Sequence, residues 1–236
     1  MNVDPVLTSI RGGLVVSCQP DAQDAAHDPM NRPEIMAALA QSAVLGGAVA
    51  IRADSPAHIA AIRAVVQVPI IGICKHDLPG YAVRITPTLE DALAIARAGA
   101  SCIAVDATAR PRPQGQDAAD YIRQVLAATG KPVMADIATL EEGLAAAAAG
   151  ACAVLPTLSG YTADSPQLEG PDLELLVRLV KALPVPVIAE GRYSSPQDAA
   201  LALQNGAWAV TVGSAITRPR SITSGFVSAM AKIQKK

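Results

Sequence analysis

The chain alternates short, almost wholly apolar runs with longer stretches of helical periodicity. The apolar runs occupy residues 14–18, 48–51, 70–74, 102–105, 133–135, 153–155, 187–189 and 209–212. Continuous runs, rather than an apolar/polar alternation, predict strands covered on both faces, as in parallel sheets. Between them, helical spacing is found over residues 33–45, 56–66, 89–98, 117–128, 140–149, 172–182 and 196–204. Thr88-x-x-Asp91 and Thr139-x-x-Glu142 have the form of capping boxes at helix starts.

The punctuation repeats. A Gly-Ala pair closes a helical stretch and opens a strand at Gly47-Ala48, Gly99-Ala100, Gly150-Ala151 and Gly206-Ala207, at intervals of 52, 51 and 56 residues. Roughly halfway between, proline marks further strand entries at Pro69, Pro132 and Pro186. Glycine past a helix end adopts the left-handed conformation, and proline cannot continue a helix. Eight strands alternating with helices, with no low-complexity linker, predict an α/β fold: a single-domain (β/α)8 TIM barrel over residues 1–236. An open doubly wound sheet is the alternative, but no G-x-G-x-x-G follows residues 14–18, where a dinucleotide fold needs it.

Composition narrows the function. Hydrophobic residues make up 51%, charged residues 17%, and the formal net charge is −2. Such a chain is too apolar for disorder and too neutral to offset many nucleic-acid phosphates. One Trp, four Tyr and one Phe provide no platform for base stacking. The longest apolar stretch, residues 43–51, falls far short of the ~20 residues of a membrane span. Asp4 and Pro5 stand where a signal peptide carries a basic and then an apolar region. A soluble protein is expected, without nucleic-acid or membrane partners. Cys18, Cys74, Cys102 and Cys152 lack the paired spacing of a zinc or redox site and are expected to be free, buried thiols in a reducing cytoplasm. His27, His58 and His76 show no metal-ligand spacing. His58 is expected to be exposed on its helix, and His27 is given no role.

Active sites of such barrels collect at the C-terminal ends of the strands. The residues after successive apolar runs are Gln19, Arg52, Lys75, Asp106, Asp136 and, at the seventh strand, Glu190, while the eighth ends in Gly213-Ser214. Ionisable and polar groups from six strands thus converge on one rim. Glu190-Gly191-Arg192 and Gly213-Ser214-Ala215-Ile216 follow the seventh and eighth strands, where barrels often hold a phosphate with backbone N–H groups and a short extra helix. A phosphorylated ligand is expected there. Lys75 stands at the barrel mouth; at its ordinary pKa of ~10.4 it is a poor base. Desolvation and Arg52 lower that value, and Glu190 raises it. So placed, Lys75 can move protons, form a Schiff base, or pair with a substrate anion. His76 is expected to turn away from the site.

Taken together, several segments resemble the bacterial N-acetylmannosamine-6-phosphate 2-epimerase family. They include Val15-Val16-Ser17-Cys18-Gln19, Ile51-Arg52-Ala53, Ile73-Cys74-Lys75, Asp106-Ala107-Thr108-Ala109-Arg110-Pro111-Arg112-Pro113 and Met134-Ala135-Asp136-Ile137. Ile188-Ala189-Glu190-Gly191-Arg192 and Val212-Gly213-Ser214-Ala215-Ile216-Thr217-Arg218-Pro219 complete the likeness, which runs from residue 12 to about residue 220. The resemblance implies a homodimeric, cytoplasmic barrel that needs neither metal nor cofactor. It would interconvert N-acetylmannosamine 6-phosphate and N-acetylglucosamine 6-phosphate in sialic acid catabolism. Lys75 would be the acid/base at carbon 2 and Glu190 would assist ring opening and proton handling. Gln19, Arg52, Asp136 and Arg218 would contact the sugar, and Gly191, Arg192, Gly213 and Ser214 the phosphate. Two stretches depart from the family pattern: residues 20–32, rich in Asp and Pro, and Lys75-His76-Asp77-Leu78.

Rival readings are a Schiff-base aldolase acting through Lys75 and a barrel that binds a sugar phosphate without turning it over. The phosphosugar decarboxylases use Asp-x-Lys-x-x-Asp; Ile73 and Leu78 occupy the two acidic positions here.

Overall fold

The eight apolar runs pair side by side as parallel strands: β1 (Leu14–Cys18), β2 (Ala50–Asp54), β3 (Ile70–Ile73), β4 (Cys102–Asp106), β5 (Val133–Asp136), β6 (Ala153–Leu155), β7 (Ile188–Glu190) and β8 (Ala209–Val212). In this computed structural model, which describes residues 4–21 and 27–234, they follow the order β6-β5-β4-β3-β2-β1-β8-β7. A parallel bridge from Val154 to Val187, with the Val154 N–H on the Pro186 carbonyl at 3.0 Å, brings β6 to β7 and nearly closes the barrel. Residues 22–26 of the Asp- and Pro-rich loop lie outside the described residues.

Helices α2 (Pro33–Leu45), α3 (Pro56–Arg63), α4 (Leu89–Arg97), α5 (Ala118–Thr129), α6 (Leu140–Ala148), α7 (Leu173–Ala182) and α8 (Pro196–Gln204) fill the stretches of helical periodicity. Thr88 and Thr139 form the expected capping boxes with Asp91 and Glu142, and Ser195 forms a third with Asp198. Each box satisfies N–H groups that a helix start leaves without partners.

The hydrophobic core has two parts. One lies between the strands and the outer helices, with Ile51, Ile103, Val133 and Leu176 among its members. The other fills the barrel interior with Val15, Ala50, Ile71, Ile73, Cys102, Ala104, Met134, Ala153, Leu155, Ile188 and Ala209. Its lower end is stoppered by α1 (Pro5–Ile10), through Leu7 and Ile10. Asp4 caps that short helix by accepting the Val6 N–H at 2.8 Å, and the Trp208 indole donates to the Leu7 carbonyl at 2.7 Å.

Three differences from the sequence expectation bear on the site. Strand β2 starts later and runs on through Arg52 to Asp54, and β4, β5 and β7 each end on their carboxylate residue. Polar residues did not end these strands because the barrel interior, not solvent, receives their side chains. His58 is buried at 5% exposure rather than exposed, because the first turn of α3 lies against Asp54 at the end of β2. The final helices, α9 (Ser214–Thr217) and α10 (Pro219–Gln234), complete the fold; α10 follows α9 directly and leaves Phe226, Val227, Met230 and Ile233 exposed. The four cysteines are free, Cys18 and Cys102 fully buried and Cys74 and Cys152 partly so. No helix among the described residues is long and apolar enough to cross a membrane.

Candidate active site

Side chains alternate sides along a strand, so stepping two residues from an interior position stays inside the barrel. Two residues beyond the uppermost interior apolar residue of each strand stand Ser17, Arg52, Lys75, Asp106, Asp136, Thr157, Glu190 and Thr211. All eight strands thus end their apolar filling with one polar group at the same level. Six of them, Ser17, Lys75, Asp106, Thr157, Glu190 and Thr211, line a cavity of about 440 Å³ at the C-terminal mouth, into which Gln19 and Arg218 also face, while Arg52 and Asp136 are buried beneath it.

Beneath the cavity the Arg52 guanidinium, 1% exposed, is held by two carboxylates. It donates to Asp136 Oδ1 at 3.1 Å and Oδ2 at 2.7 Å, and to Glu190 Oε2 at 3.2 Å. Thr157 donates its hydroxyl to Asp136 as well. The Lys75 ammonium donates to Gln19 Oε1 at 2.6 Å, while Gln19 donates through Nε2 to Ser17 Oγ at 2.6 Å. The Lys75 backbone N–H is fixed by Asp54 Oδ1 at 2.8 Å.

Burial controls the protonation of the pair. It pushes the Glu190 carboxyl up to about 7; Arg52 pulls it back and the Asp136 charge adds to the rise. Burial also pushes the Lys75 ammonium below its ordinary value, Asp54 opposing this and Arg52 and Arg218 adding to it. Two groups that differ by six units as model compounds are therefore drawn toward the neutral range from opposite sides.

The opposite wall carries the two glycine turns. Gly191 (φ +111°) and Gly213, with Ser214, border the same cavity as Lys75 and Glu190. Gly213 is the N-cap of α9, and Arg218 donates to Ser214 Oγ at 3.0 Å while its Nε is buried without a hydrogen-bond partner. Arg192 also borders the cavity, but its guanidinium is committed to the carbonyls of Gly170 (2.7 Å) and Ser159 (2.5 Å). Its side chain therefore braces the loop after β6. His76 turns outward to Asp91 at 2.8 Å.

Asp106 and the ten residues given site roles by the resemblance border the cavity or bond directly to a residue that does. Asp54, Thr157 and Thr211 were not singled out. The available signal was the two-residue offset from each strand's interior residues, which polar type alone does not reveal.

The fold is that of a TIM barrel, with its candidate site at the C-terminal mouth, where such barrels build their active sites. The profile of the family described as "Putative N-acetylmannosamine-6-phosphate epimerase" matches residues 36–232. A relative in Thermosynechococcus vestitus is 53% identical over 210 residues, 89% of this chain and 90% of the relative. Another in Escherichia coli O157:H7 is 49% identical over 224 residues, 94% and 93% respectively. Both bear that description, as a 2-epimerase. A solved structure described as the N-acetylmannosamine-6-phosphate 2-epimerase from Clostridium perfringens matches with a TM-score of 0.90 and 40% identity, over 97% of this chain and 98% of that one. A thiamine phosphate pyrophosphorylase from Pyrococcus furiosus (TM-score 0.59, 19% identity) shares the fold alone. The chain belongs to the N-acetylmannosamine-6-phosphate epimerase family.

Proposed function

We propose that this chain interconverts N-acetylmannosamine 6-phosphate and N-acetylglucosamine 6-phosphate by removing and returning the proton on carbon 2 of the open-chain sugar. The observation that carries the reading is that Lys75 and Glu190 face one cavity with displaced proton affinities and Arg52 between the carboxylates.

Opening the ring makes carbon 1 an aldehyde, so loss of the carbon-2 proton gives an enolate. Inverting the centre needs a proton taken from one face and another delivered to the opposite face. Lys75 and Glu190 divide these transfers, each positioned group supplying ~10²–10⁴ in rate. Each feels the other's charge, which favours the ionised form of both. Arg52, buried just beneath the cavity and bonded to Glu190, contributes positive charge toward the developing enolate. The oxidation state of the sugar does not change, so the electron balance closes without a redox partner.

Gly191, Gly213 and Ser214 bind the phosphate through their turns, with Arg192 bracing the wall and Arg218 supplying the unpaired Nε. Gln19, Arg52 and Asp136 orient the sugar. Binding the phosphate away from carbon 2 fixes that carbon between the acid and the base. The exposed apolar face of α10 supports a homodimer, and a phosphorylated substrate together with four free thiols supports a cytoplasmic location.

Proton NMR of N-acetylmannosamine 6-phosphate with the enzyme in deuterated buffer tests the reading. The carbon-2 proton signal is expected to disappear as both epimers accumulate. Binding without exchange would leave only a sugar-phosphate receptor.

A further inference from the structure

Strand pairing between β3 and β4 stops short of the barrel mouth. The register joins Ile71 to Cys102 and Gly72 to Ile103, and goes no further. Above it, residues 84–86 return from the loop after β3 and occupy the gap. Lys75 and Ile85 form an antiparallel bridge, and the Asp106 N–H donates to the Ile85 carbonyl at 2.9 Å.

Thr86 ties this insert to both strands. Its N–H donates to the Cys74 carbonyl at 2.7 Å. Its hydroxyl accepts the Cys74 N–H at 3.2 Å and donates to the Ala104 carbonyl at 2.7 Å. Its own carbonyl accepts the Tyr121 hydroxyl from α5 at 2.7 Å. Every polar group of this fully buried threonine is thus engaged, and three of its four bonds reach the residue before Lys75 or the strand beside it.

The backbone of Thr86 lies at φ +48°, where a β-branched residue is rarely found. Such a conformation persists only when the surroundings over-determine it, and it gathers at sites where geometry matters. Glycine adopts this φ without strain, but it has no hydroxyl to join Cys74 to Ala104.

We propose that Thr86 is a positioning residue for Lys75: by bonding both backbone groups of Cys74, it sets where the Lys75 side chain enters the cavity. The inference rests on the reading of Lys75 as acid/base. Asp54 holds the Lys75 N–H from the other side, so the backbone from Cys74 to Lys75 is pinned at three points. The Lys75 ammonium consequently stands against Gln19, facing the same cavity as Glu190.

Three variants test this. Thr86→Val keeps the β-branched shape and removes the hydroxyl, Thr86→Ser keeps the hydroxyl, and Tyr121→Phe removes only the outer bond. Two readouts are needed: kcat and KM with N-acetylmannosamine 6-phosphate, and the pH dependence of Lys75 labelling by dinitrofluorobenzene, followed by peptide mass spectrometry. Labelling requires no turnover. Thr86→Val is expected to lower kcat ~10²-fold with KM within about twofold, as misplacement by about an ångström does. It should also move the midpoint of Lys75 labelling upward by about half a unit or more, toward an ordinary lysine. Thr86→Ser should restore kcat to within about fivefold of wild type and return the labelling midpoint.

An unchanged kcat and labelling midpoint in Thr86→Val would overturn the proposal, as would equal losses in the valine and serine variants. Should Thr86→Val fail to fold, Tyr121→Phe decides: a kcat lowered about threefold to tenfold at constant KM supports positioning, and no change in either readout overturns it. If labelling moves as expected but Lys75→Met still turns over, the positioning stands and the acid/base reading of Lys75 fails.

Discussion

Arg52 grips Asp136 through two parallel hydrogen bonds, 2.7 and 3.1 Å long, across 84 residues of sequence. Both side chains are almost fully buried, and the third bond from this guanidinium goes to Glu190. A planar fork meets a carboxylate in this way; an ammonium cannot. Arg52→Lys is therefore expected to lower kcat ~10²–10³-fold, since charge remains but its placement beneath the enolate is lost. Arg52→Met leaves two carboxylates with no buried cation and should destabilise the fold by ~3–5 kcal/mol. Steady-state kinetics and urea unfolding of the two variants separate the effects; equal stability in both would show that the fork contributes nothing beyond volume.

Lys75 is half-buried with its ammonium against a neutral amide, and Asp54 bonds its backbone rather than its side chain. Its removal therefore leaves no buried carboxylate newly unpaired by hydrogen bonding. Lys75→Met should keep the fold and lower carbon-2 exchange ~10³-fold or more. Affinity for N-acetylglucosamine 6-phosphate, measured by titration calorimetry, should stay within about threefold, because the phosphate turns are on the opposite wall. Borohydride added with substrate should leave Lys75 of the wild type unlabelled; labelling there would favour the Schiff-base aldolase.

Glu190 gives a pH signature in stability. Its folded-state value, about 7, lies above the ordinary carboxylate value of 4.5, with burial as the main cause. A group raised in this way contributes stability that is complete below the unfolded value and is lost as pH rises through the folded one. Wild type should therefore weaken between roughly pH 4.5 and 7, relative to Glu190→Gln, by ~1–3 kcal/mol. The amide never ionises, so the variant should be flat over that window from this source. Parallel denaturation curves at pH 5 and pH 8 check the sign; a wild type that gains on the variant with rising pH contradicts a raised Glu190.

The barrel is legible in the sequence because its punctuation is local. Gly47, Gly99, Gly150 and Gly206 all have positive φ at helix ends, and such a requirement leaves a mark on residue type. The rim is legible for the same reason: a charged residue after an apolar run is visible without knowing its partners. The partners are not visible. Arg52 and Asp136 meet only through barrel closure, and Thr86 acts through backbone groups whose identity is independent of side chain. His58 misleads because helical spacing does not tell which neighbouring strand end faces a first turn. The last helix is hidden differently, since its apolar spacing is the same whether it packs on its own barrel or on something else.

The phosphate wall offers a steric test. A Cβ added at Gly213 would lie 3.2 Å from Ser17 Cβ and 3.6 Å from Ser17 Oγ, already tight before any branch is added. Valine places two further methyl groups where an anion needs to approach the start of α9. Gly213→Val is expected to raise KM ~10–100-fold while kcat at saturation changes little, the loss being in binding remote from carbon 2. An unchanged KM would remove Gly213 from the phosphate site.

The exposed face of α10 makes the last prediction. Phe226 is 69% exposed, Met230 63% and Ile233 76%, spaced so that they share one side of the last helix. A large apolar stripe on the last helix is a surface that the proposed homodimer would cover symmetrically. Truncating central apolar anchors of an interface typically costs ~2 kcal/mol or more each, and a charge there costs at least as much. Phe226→Glu with Met230→Glu should therefore convert a dimer to a monomer by light scattering, while far-ultraviolet circular dichroism keeps its barrel signature. The variant's mass staying at twice the chain mass would place the contact elsewhere, and a monomeric wild type would refute the dimer itself.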